Sequence, residues 1–177
     1  CATGKPVTAA TALASLDDLF RNPLDANKRP TTEQLDASVN AIKPDEIKEL
    51  LVKNPYAQIP KANKKSFLTK LKEDNGEVSK WVVEQLEESK QLLEGFDAKE
   101  LEQIDDTAMF GGENADGTKT KGALATFGQV KDWTAKQVAV LATKFKEQLP
   151  GGIKKATGED FTEAGNIVEG FTGPDID

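Results

Sequence analysis

Carboxylates are the most abundant groups in this sequence that could do chemistry, since the chain has 30 aspartates and glutamates and no histidine. Two carboxylates can divide acid and base roles when both reach one substrate. Asp17-Asp18 and Asp105-Asp106 are adjacent, and adjacent residues of a helix do not face each other. Glu84, Glu87 and Glu88 could share a helix face as di-iron ligands do, but that site also uses two Glu-X-X-His motifs, which this chain lacks.

One stretch has some of the spacing of a calcium-binding EF-hand loop, in which a glycine occupies the sixth position. The stretch is Asn114-Ala115-Asp116-Gly117-Thr118. With Gly117 in the sixth place, Gly112 takes the first position and Ala123 takes the twelfth. Both positions should be acidic, and the bidentate glutamate is missing. The stretch therefore favours a turn built on Asp116 and Gly117 over a calcium site.

The nucleophiles of the chain have no activating partner in any recognised motif. No histidine is present to take a proton from a serine hydroxyl, and Cys1 is the single cysteine. Neither an internal disulfide nor a thiolate zinc site can form from one cysteine. A serine–lysine dyad stays open as an alternative, without a motif to support it. The sequence predicts a protein that is not an enzyme and that uses no metal and no cofactor.

The sequence opens on Cys1-Ala2-Thr3-Gly4-Lys5, which suits two kinds of protein. A mature bacterial lipoprotein carries its lipid anchor on such a cysteine, followed by small polar residues. A fragment of a larger secreted protein could instead use Cys1 in an intermolecular disulfide. No stretch approaches the ~20 apolar residues of a membrane span. We therefore expect a secreted or cell-surface protein with no transmembrane segment.

The overall charge is acidic, with a net charge of −7 and an isoelectric point near 4.8. This balance disfavours a nucleic-acid partner, which would need a basic surface. A lysine cluster at 61–72 is interpreted as a solvated helix face, with anion binding as the alternative. The acids expected to offer an interaction surface to a basic protein partner are Glu84, Glu87, Glu88, Glu100 and Glu102.

Helical spacing of apolar residues recurs along the chain, and its clearest example starts at Thr134. Thr134 and Gln137 form a capping box, and Val138, Leu141 and Phe145 fall on one face of the helix that follows. We expect a single all-α domain at 8–173, between an N-terminal arm at 1–7 and a tail at 174–177. It should contain about eight capped helices, most of them short. One long helix is expected from Val78 to about Gly95, capped by Asp74 with Glu77. A glycine-rich loop is expected at 105–122.

A capping signature, in which an apolar residue or proline precedes a cap and an acid or amide follows three residues later, occurs several times. It is found at 30–35, 42–47, 96–101 and 133–138, with a weaker copy at 156–161. The irregular separations exclude a strict tetratricopeptide or ankyrin array. Two interpretations stay open: a compact multi-helix bundle with ordinary caps, and an irregular helical repeat.

Three stretches, at 123–128, 130–138 and 161–171, together resemble the mesothelin, stereocilin and otoancorin family. They share a small-residue Leu-Gly-like element, a Trp-rich cap before a helix, and a closing element rich in glycine and apolar residues. Proteins of that family are extracellular and stack short irregular helices into a superhelix. The resemblance implies cell adhesion or matrix attachment, and no catalysis.

The function expected from these features is protein–protein interaction by a non-enzymatic, secreted or surface-anchored helical protein. The alternative is a helical carrier of a fatty acid or a similar apolar ligand, since short helices leave gaps that such a ligand can fill. A cofactor-free enzyme is the third hypothesis.

Overall fold

A computed structural model describes residues 7–21, 30–54, 57–149 and 153–171, and helices dominate it, which confirms the all-α prediction. The described residues do not include the first six residues of the arm, among them Cys1, or the tail at 174–177. None of the described helices combines the length and the apolar character that a membrane crossing requires. The α-helices are α1 (Ala9–Arg21), α2 (Thr32–Ala41), α3 (Pro44–Lys53), α4 (Lys61–Asn75), α5 (Val83–Ser89), α6 (Ala98–Gln103), α7 (Asp106–Phe110), α8 (Leu124–Gln129), α9 (Ala135–Gln148) and α10 (Gly158–Ala164). The strands β1 (Gly111–Glu113) and β2 (Lys119–Lys121) pair antiparallel, and 3-10 turns occupy Val78–Lys80, Lys90–Gly95, Ile153–Lys155 and Gly165–Gly170.

Four of the predicted capping boxes start helices in the structure. Thr31, Asp97, Thr134 and Thr157 each accept a hydrogen bond from the backbone of the third helical residue, whose own side chain reaches back to the cap. Each box satisfies two of the amide groups that a helix start leaves without partners. Because these helices have only six to fourteen residues, the caps and the core contribute most of their stability.

The long helix predicted from Val78 to Gly95 is wrong, because the backbone leaves the helical region twice. Val82 is extended, and α5 begins only after it. Lys90 has φ 46°, a conformation that an α-helix cannot contain. The predicted cap at Asp74 is wrong too. Helix α4 continues to Asn75 and Gly76 ends it with φ 74°, while Asp74 lies 3.2 Å from the Lys48 ammonium group.

The glycine-rich stretch predicted to be a loop at 105–122 contains α7 and the β-hairpin instead. Asp105 begins α7 by accepting from the amides of Thr107 and Ala108. In the hairpin Gly111 pairs with Lys121, and glycine at 111 and 122 lets the two backbones come closer than side chains would allow. The turn predicted on Asp116 and Gly117 is confirmed, with Gly117 at φ 81° and the Asp116 carboxylate accepting from the Thr118 amide at 2.9 Å.

The Asp105 cap gives a testable dependence of stability on pH. Its hydrogen bonds from Thr107 hold the pKa of the carboxyl below its ordinary 3.8. A carboxyl with a lowered folded pKa stabilises the protein above its unfolded pKa, and this contribution is lost as the pH falls through the folded value. Asp105→Ala should therefore lower the free energy of unfolding by about 1 kcal/mol at neutral pH. Urea unfolding over a pH series from neutral into acid checks this: the gap between wild type and variant should narrow as the pH falls through the folded pKa, and a gap that stays constant would contradict it.

The described fold consists of α1 followed by two consecutive units with the same order of elements. Unit 1 covers residues 31–96 and unit 2 covers residues 97–171. Each begins with a capped helix, α2 or α6, and each ends with a short helix, a 3-10 turn and a phenylalanine. We name these turns closing turn 1 (Lys90–Gly95) and closing turn 2 (Gly165–Gly170). Helix α7 and the hairpin are an insertion in unit 2.

The packing of the elements repeats between the two units. Helix α4 lies against α2 and closing turn 1, as α9 lies against α6 and closing turn 2. Helix α3 packs on α5, as α8 packs on α10. The backbone repeats as well, since Lys90 and Gly165 have φ/ψ of 46°/−125° and 47°/−121°. Two short sequences match at these places: Thr-Lys-Leu-Lys-Glu at 69–73 with Thr-Lys-Phe-Lys-Glu at 143–147, and Leu-Leu-Glu-Gly-Phe at 92–96 with Ile-Val-Glu-Gly-Phe at 167–171.

Candidate functional site

A cleft of about 550 Å³ opens between the two units. Its walls are residues 57–60 of unit 1, which precede α4, and residues 129–132 of unit 2, which run from the end of α8 towards α9. Lys64 of α4 and Gln91 and Glu94 of closing turn 1 complete the lining. We name this feature the central cleft. Its volume lies within the range of small-molecule sites, roughly 300–1,000 Å³.

An ion pair between Lys64 and Glu94 lies in this cleft, and both side chains are more than nine-tenths buried. The Lys64 ammonium group donates to Oε2 of Glu94. The other oxygen, Oε1, accepts no hydrogen bond from the described residues. The ammonium group of Lys61 forms an ion pair with Oε1 at 3.1 Å, and it also donates to the carbonyl of Asp132 at 2.6 Å. A carboxylate oxygen has more than one lone pair, so Oε1 keeps the capacity to accept from a further donor.

Unit 2 has the same order of elements as unit 1 but lacks this ion pair. The residue of α9 that corresponds to Lys64 is Val138, because Gly95 and Gly170 pack against positions 64 and 138 in the same way. The counterpart of Glu94 is Glu169, which is exposed. A buried ion pair is often no more stable than apolar residues of similar volume. The pair is therefore a special feature of unit 1, located where the cleft opens.

Amide side chains fix the backbone around the cleft. Gln91 donates to the carbonyl of Ala57, and its counterpart Asn166 donates to the carbonyl of Val130 at 2.9 Å. Gln137 of unit 2 donates to the carbonyls of Glu94 and Phe96, at 2.8 and 2.5 Å. These bonds hold both walls and the floor to the two closing turns, so the cleft has a defined shape.

The prediction that the lysines at 61–72 form a solvated face is wrong for Lys64 and holds for others. Lys65 is exposed, whereas Lys64 is buried on Glu94. Lys72 pairs with Glu100 across the boundary between the units and lies over the ring of Phe96, 5.3 Å from its centre. Part of the basic face of α4 is thus neutralised by acids of closing turn 1 and α6.

The five acids predicted as one interaction surface have different environments. Glu84, Glu87 and Glu88 are exposed on α5, and Glu88 lies 3.9 Å from the Lys48 ammonium group. Glu102 is exposed on α6. Glu100 is engaged, since it caps the backbone of Asp97 and pairs with Lys72. The α5 acids and Glu102 stay available for the predicted steering of a basic partner.

The other acids considered for chemistry are occupied by structural contacts. Asp17 pairs with Arg21, Asp106 pairs with Lys144, and Asp116 accepts from Thr118. Within the described ranges, no group of three His, Cys, Asp or Glu residues is placed to hold a metal ion.

An apolar surface at the end of unit 2 is the second feature of functional interest. We name Phe161, Val168 and Phe171 the end face. Phe161 is 38% exposed, and Val168 and Phe171 are partly buried. Their counterparts in unit 1, Leu86, Leu93 and Phe96, are fully buried. Unit 2 covers that surface of unit 1, because α7 packs on α5 and α8 packs on closing turn 1.

Sequence reasoning missed Lys64, Glu94 and Phe161 as functional candidates. Lys64 was assigned to solvent because it lies within a lysine-rich run, and no motif pointed to Glu94. Alignment of the matching sequences at 69–73 and 143–147 would have shown that Lys64 corresponds to Val138.

Comparison of the chain with protein-family models, with curated proteins and with solved structures gives no match.

Proposed function

We propose that this protein is non-enzymatic and acts by protein–protein contact, with the end face of unit 2 as a docking surface for a helical partner. The observation that carries the proposal is the difference in burial between two equivalent surfaces. Unit 1 buries Leu86, Leu93 and Phe96 against the next unit, while unit 2 leaves Phe161 exposed at the corresponding place. A surface built to pack on a helical unit is thus partly open in unit 2.

The chemistry of the end face indicates what the partner must provide. Unit 1 covers Phe96 with the indole of Trp81, edge-on at 5.3 Å. Unit 2 has Ala156 at the position of Trp81, and Phe161 lies edge-on to Phe171 at 6.3 Å instead. The exposed Glu159 and Glu169 flank the end face. A matching partner has a short apolar helix with basic residues around it.

The resemblance to the mesothelin family supports the same type of interaction, because it implies stacking of short irregular helices outside the cell. Adhesion or matrix attachment, a secreted or cell-surface location and a lipid anchor or intermolecular disulfide at Cys1 belong to this proposal. The fatty-acid carrier stays the alternative hypothesis, and no contact among the described residues specifically favours it.

Phe161→Ser tests the proposal, and Val52→Ser is the matched control. Val52 is 63% exposed on α3, away from the end face. A photo-reactive phenylalanine analogue at position 161 would capture the partner, whose affinity for each purified variant would then be measured. Truncating an interface anchor costs roughly 2 kcal/mol or more, so Phe161→Ser should weaken binding at least tenfold.

The control variant should bind as the wild type does, and added salt should slow association, because charges around an interface act mainly on the rate of encounter. A partner that binds Phe161→Ser as tightly as the wild type, or that cross-links equally from position 52, would refute docking on the end face.

A further inference from the structure

We propose that the central cleft is a binding site for a small neutral molecule rich in hydroxyl groups, such as a monosaccharide or a disaccharide. This function is separate from docking on the end face. It rests on the geometry of the Lys64–Glu94 pair, on the lining of the cleft and on the comparison of the two units.

The charged groups of Lys64 and Glu94 in the cleft are complementary to a ligand that both donates and accepts hydrogen bonds. Oε1 of Glu94 is a buried acceptor that pairs with the Lys61 ammonium group at 3.1 Å and accepts no hydrogen bond from the described residues. Lys64 has three donor hydrogens, and among the described residues it donates to Oε2 of the same carboxylate. One hydroxyl group can donate to the carboxylate and accept from an ammonium group at the same time. Two neighbouring hydroxyls can instead divide these two hydrogen bonds between them.

The charge of the cleft favours a neutral ligand over an ion. The three ammonium groups of Lys61, Lys64 and Lys131 are largely offset by the two carboxylates of Glu94 and Asp132, which leaves a net charge of +1. An anion entering the cleft would meet the Glu94 carboxylate, and a cation would meet Lys64 and Lys61. A ligand without charge avoids both repulsions and still makes charge-assisted hydrogen bonds.

The walls of the cleft add the apolar and polar groups that a sugar ring needs. Ile59, Pro60 and Val130 provide apolar surface for the C–H face of a ring. The exposed Gln58 of unit 1 and Gln129 of unit 2 both line the cleft, and their amides provide further donors and acceptors. Polar side chains make up most of the lining, which suits a ligand rich in hydroxyl groups.

Unit 2 lacks the ion pair, which indicates that the pair is present in unit 1 for binding and not for folding. Val138 and the exposed Glu169 occupy the two positions in unit 2, which nevertheless builds the same helix and the same closing turn. If the pair only stabilised the unit, the counterpart positions would need a comparable pair. The ion pair occurs in the unit whose closing turn lines the cleft.

Saturation-transfer NMR with the full chain tests the proposal, with glucose, galactose, mannose, N-acetylglucosamine, lactose and myo-inositol as probes and inorganic phosphate as the charged competitor. We expect at least one of the hydroxyl-rich probes to bind and phosphate not to displace it. Glu94→Gln should weaken that binding roughly tenfold or more, as expected for a lost hydrogen bond to a charged group. Glu169→Gln, the same change at the counterpart position, should leave the affinity unchanged.

A second variant keeps the test valid if Glu94→Gln folds poorly. Lys64→Met combined with Glu94→Leu removes both charges, and circular dichroism would confirm that it folds. It should bind none of the probes. No binding of any probe to the wild type, displacement by phosphate, or equal binding by the folded double variant would overturn the proposal.

Discussion

Lys64→Ala is expected to lower the free energy of unfolding by about 3–5 kcal/mol, the usual cost of removing one partner of a buried ion pair. The Glu94 side chain is 2% exposed, and without Lys64 its nearest cation is Lys61. Lys61 is 52% exposed and donates to the carbonyl of Asp132, so it replaces little of the lost interaction. Chemical unfolding monitored by circular dichroism measures the effect.

Replacing both charges by apolar residues separates the cost of breaking the pair from the value of having it. Lys64→Met with Glu94→Leu should unfold within about 1 kcal/mol of the wild type, or be more stable, because the desolvation of two charges is avoided. Lys61→Ala is the control for a cation near the same carboxylate but half in solvent, and it should cost less than about 1 kcal/mol. A double variant as unstable as Lys64→Ala would show that the pair is needed for folding, contrary to its absence from unit 2.

The starts of helices could be predicted where they depend on residues that are neighbours in the sequence. A threonine or aspartate cap followed three residues later by an amide or acid satisfies the first amide groups of a helix whatever surrounds it. The boxes at Thr31, Asp97, Thr134 and Thr157 therefore appear in the structure as the sequence indicates. Where a prediction depended on the packing of distant residues, as for the helix at 78–95, it was wrong.

The second break in that helix, at Lys90, has a tertiary cause. Closing turn 1 packs on α4 through Gly95, where a Cβ atom would lie 2.8 Å from the backbone of Lys64. To reach α4 the chain must turn at Lys90, at the expense of a positive φ in a residue with a side chain. Apolar periodicity within 78–95 contains no information about α4, so the sequence alone favoured one continuous helix.

The duplication is visible in the sequence, but in the two matching five-residue sequences and not in the spacing of the capping boxes. Capping boxes recur at irregular distances, since helices of both units carry them and the insertion of α7 and the hairpin changes the spacing. The matching sequences at 69–73 and 143–147, and at 92–96 and 167–171, mark the units because they share one packing contact. The central cleft could not be predicted, because its two walls come from segments of different units.

Gly165→Ala is expected to lower the free energy of unfolding by about 3 kcal/mol, from backbone strain and overpacking together. Gly165 has φ 47°, which alanine rarely adopts. A Cβ atom there would also lie 2.4 Å from the carbonyl oxygen of Gly128, where the backbones of α8 and closing turn 2 touch. Backbone cannot give way as a flexible side chain can, so α8 would have to move. The midpoint of thermal or urea unfolding measures the loss.

The same position in unit 1 provides a control of opposite sign. Lys90 has nearly the same backbone conformation as Gly165, and its side chain donates to the carbonyl of Leu51 at 3.4 Å. Lys90→Gly relieves the strain of a positive φ and should raise the free energy of unfolding by up to about 1 kcal/mol. If the two substitutions changed stability in the same direction, positions 90 and 165 would not be equivalent, and the division of the fold into two like units would fail at the turn that defines it.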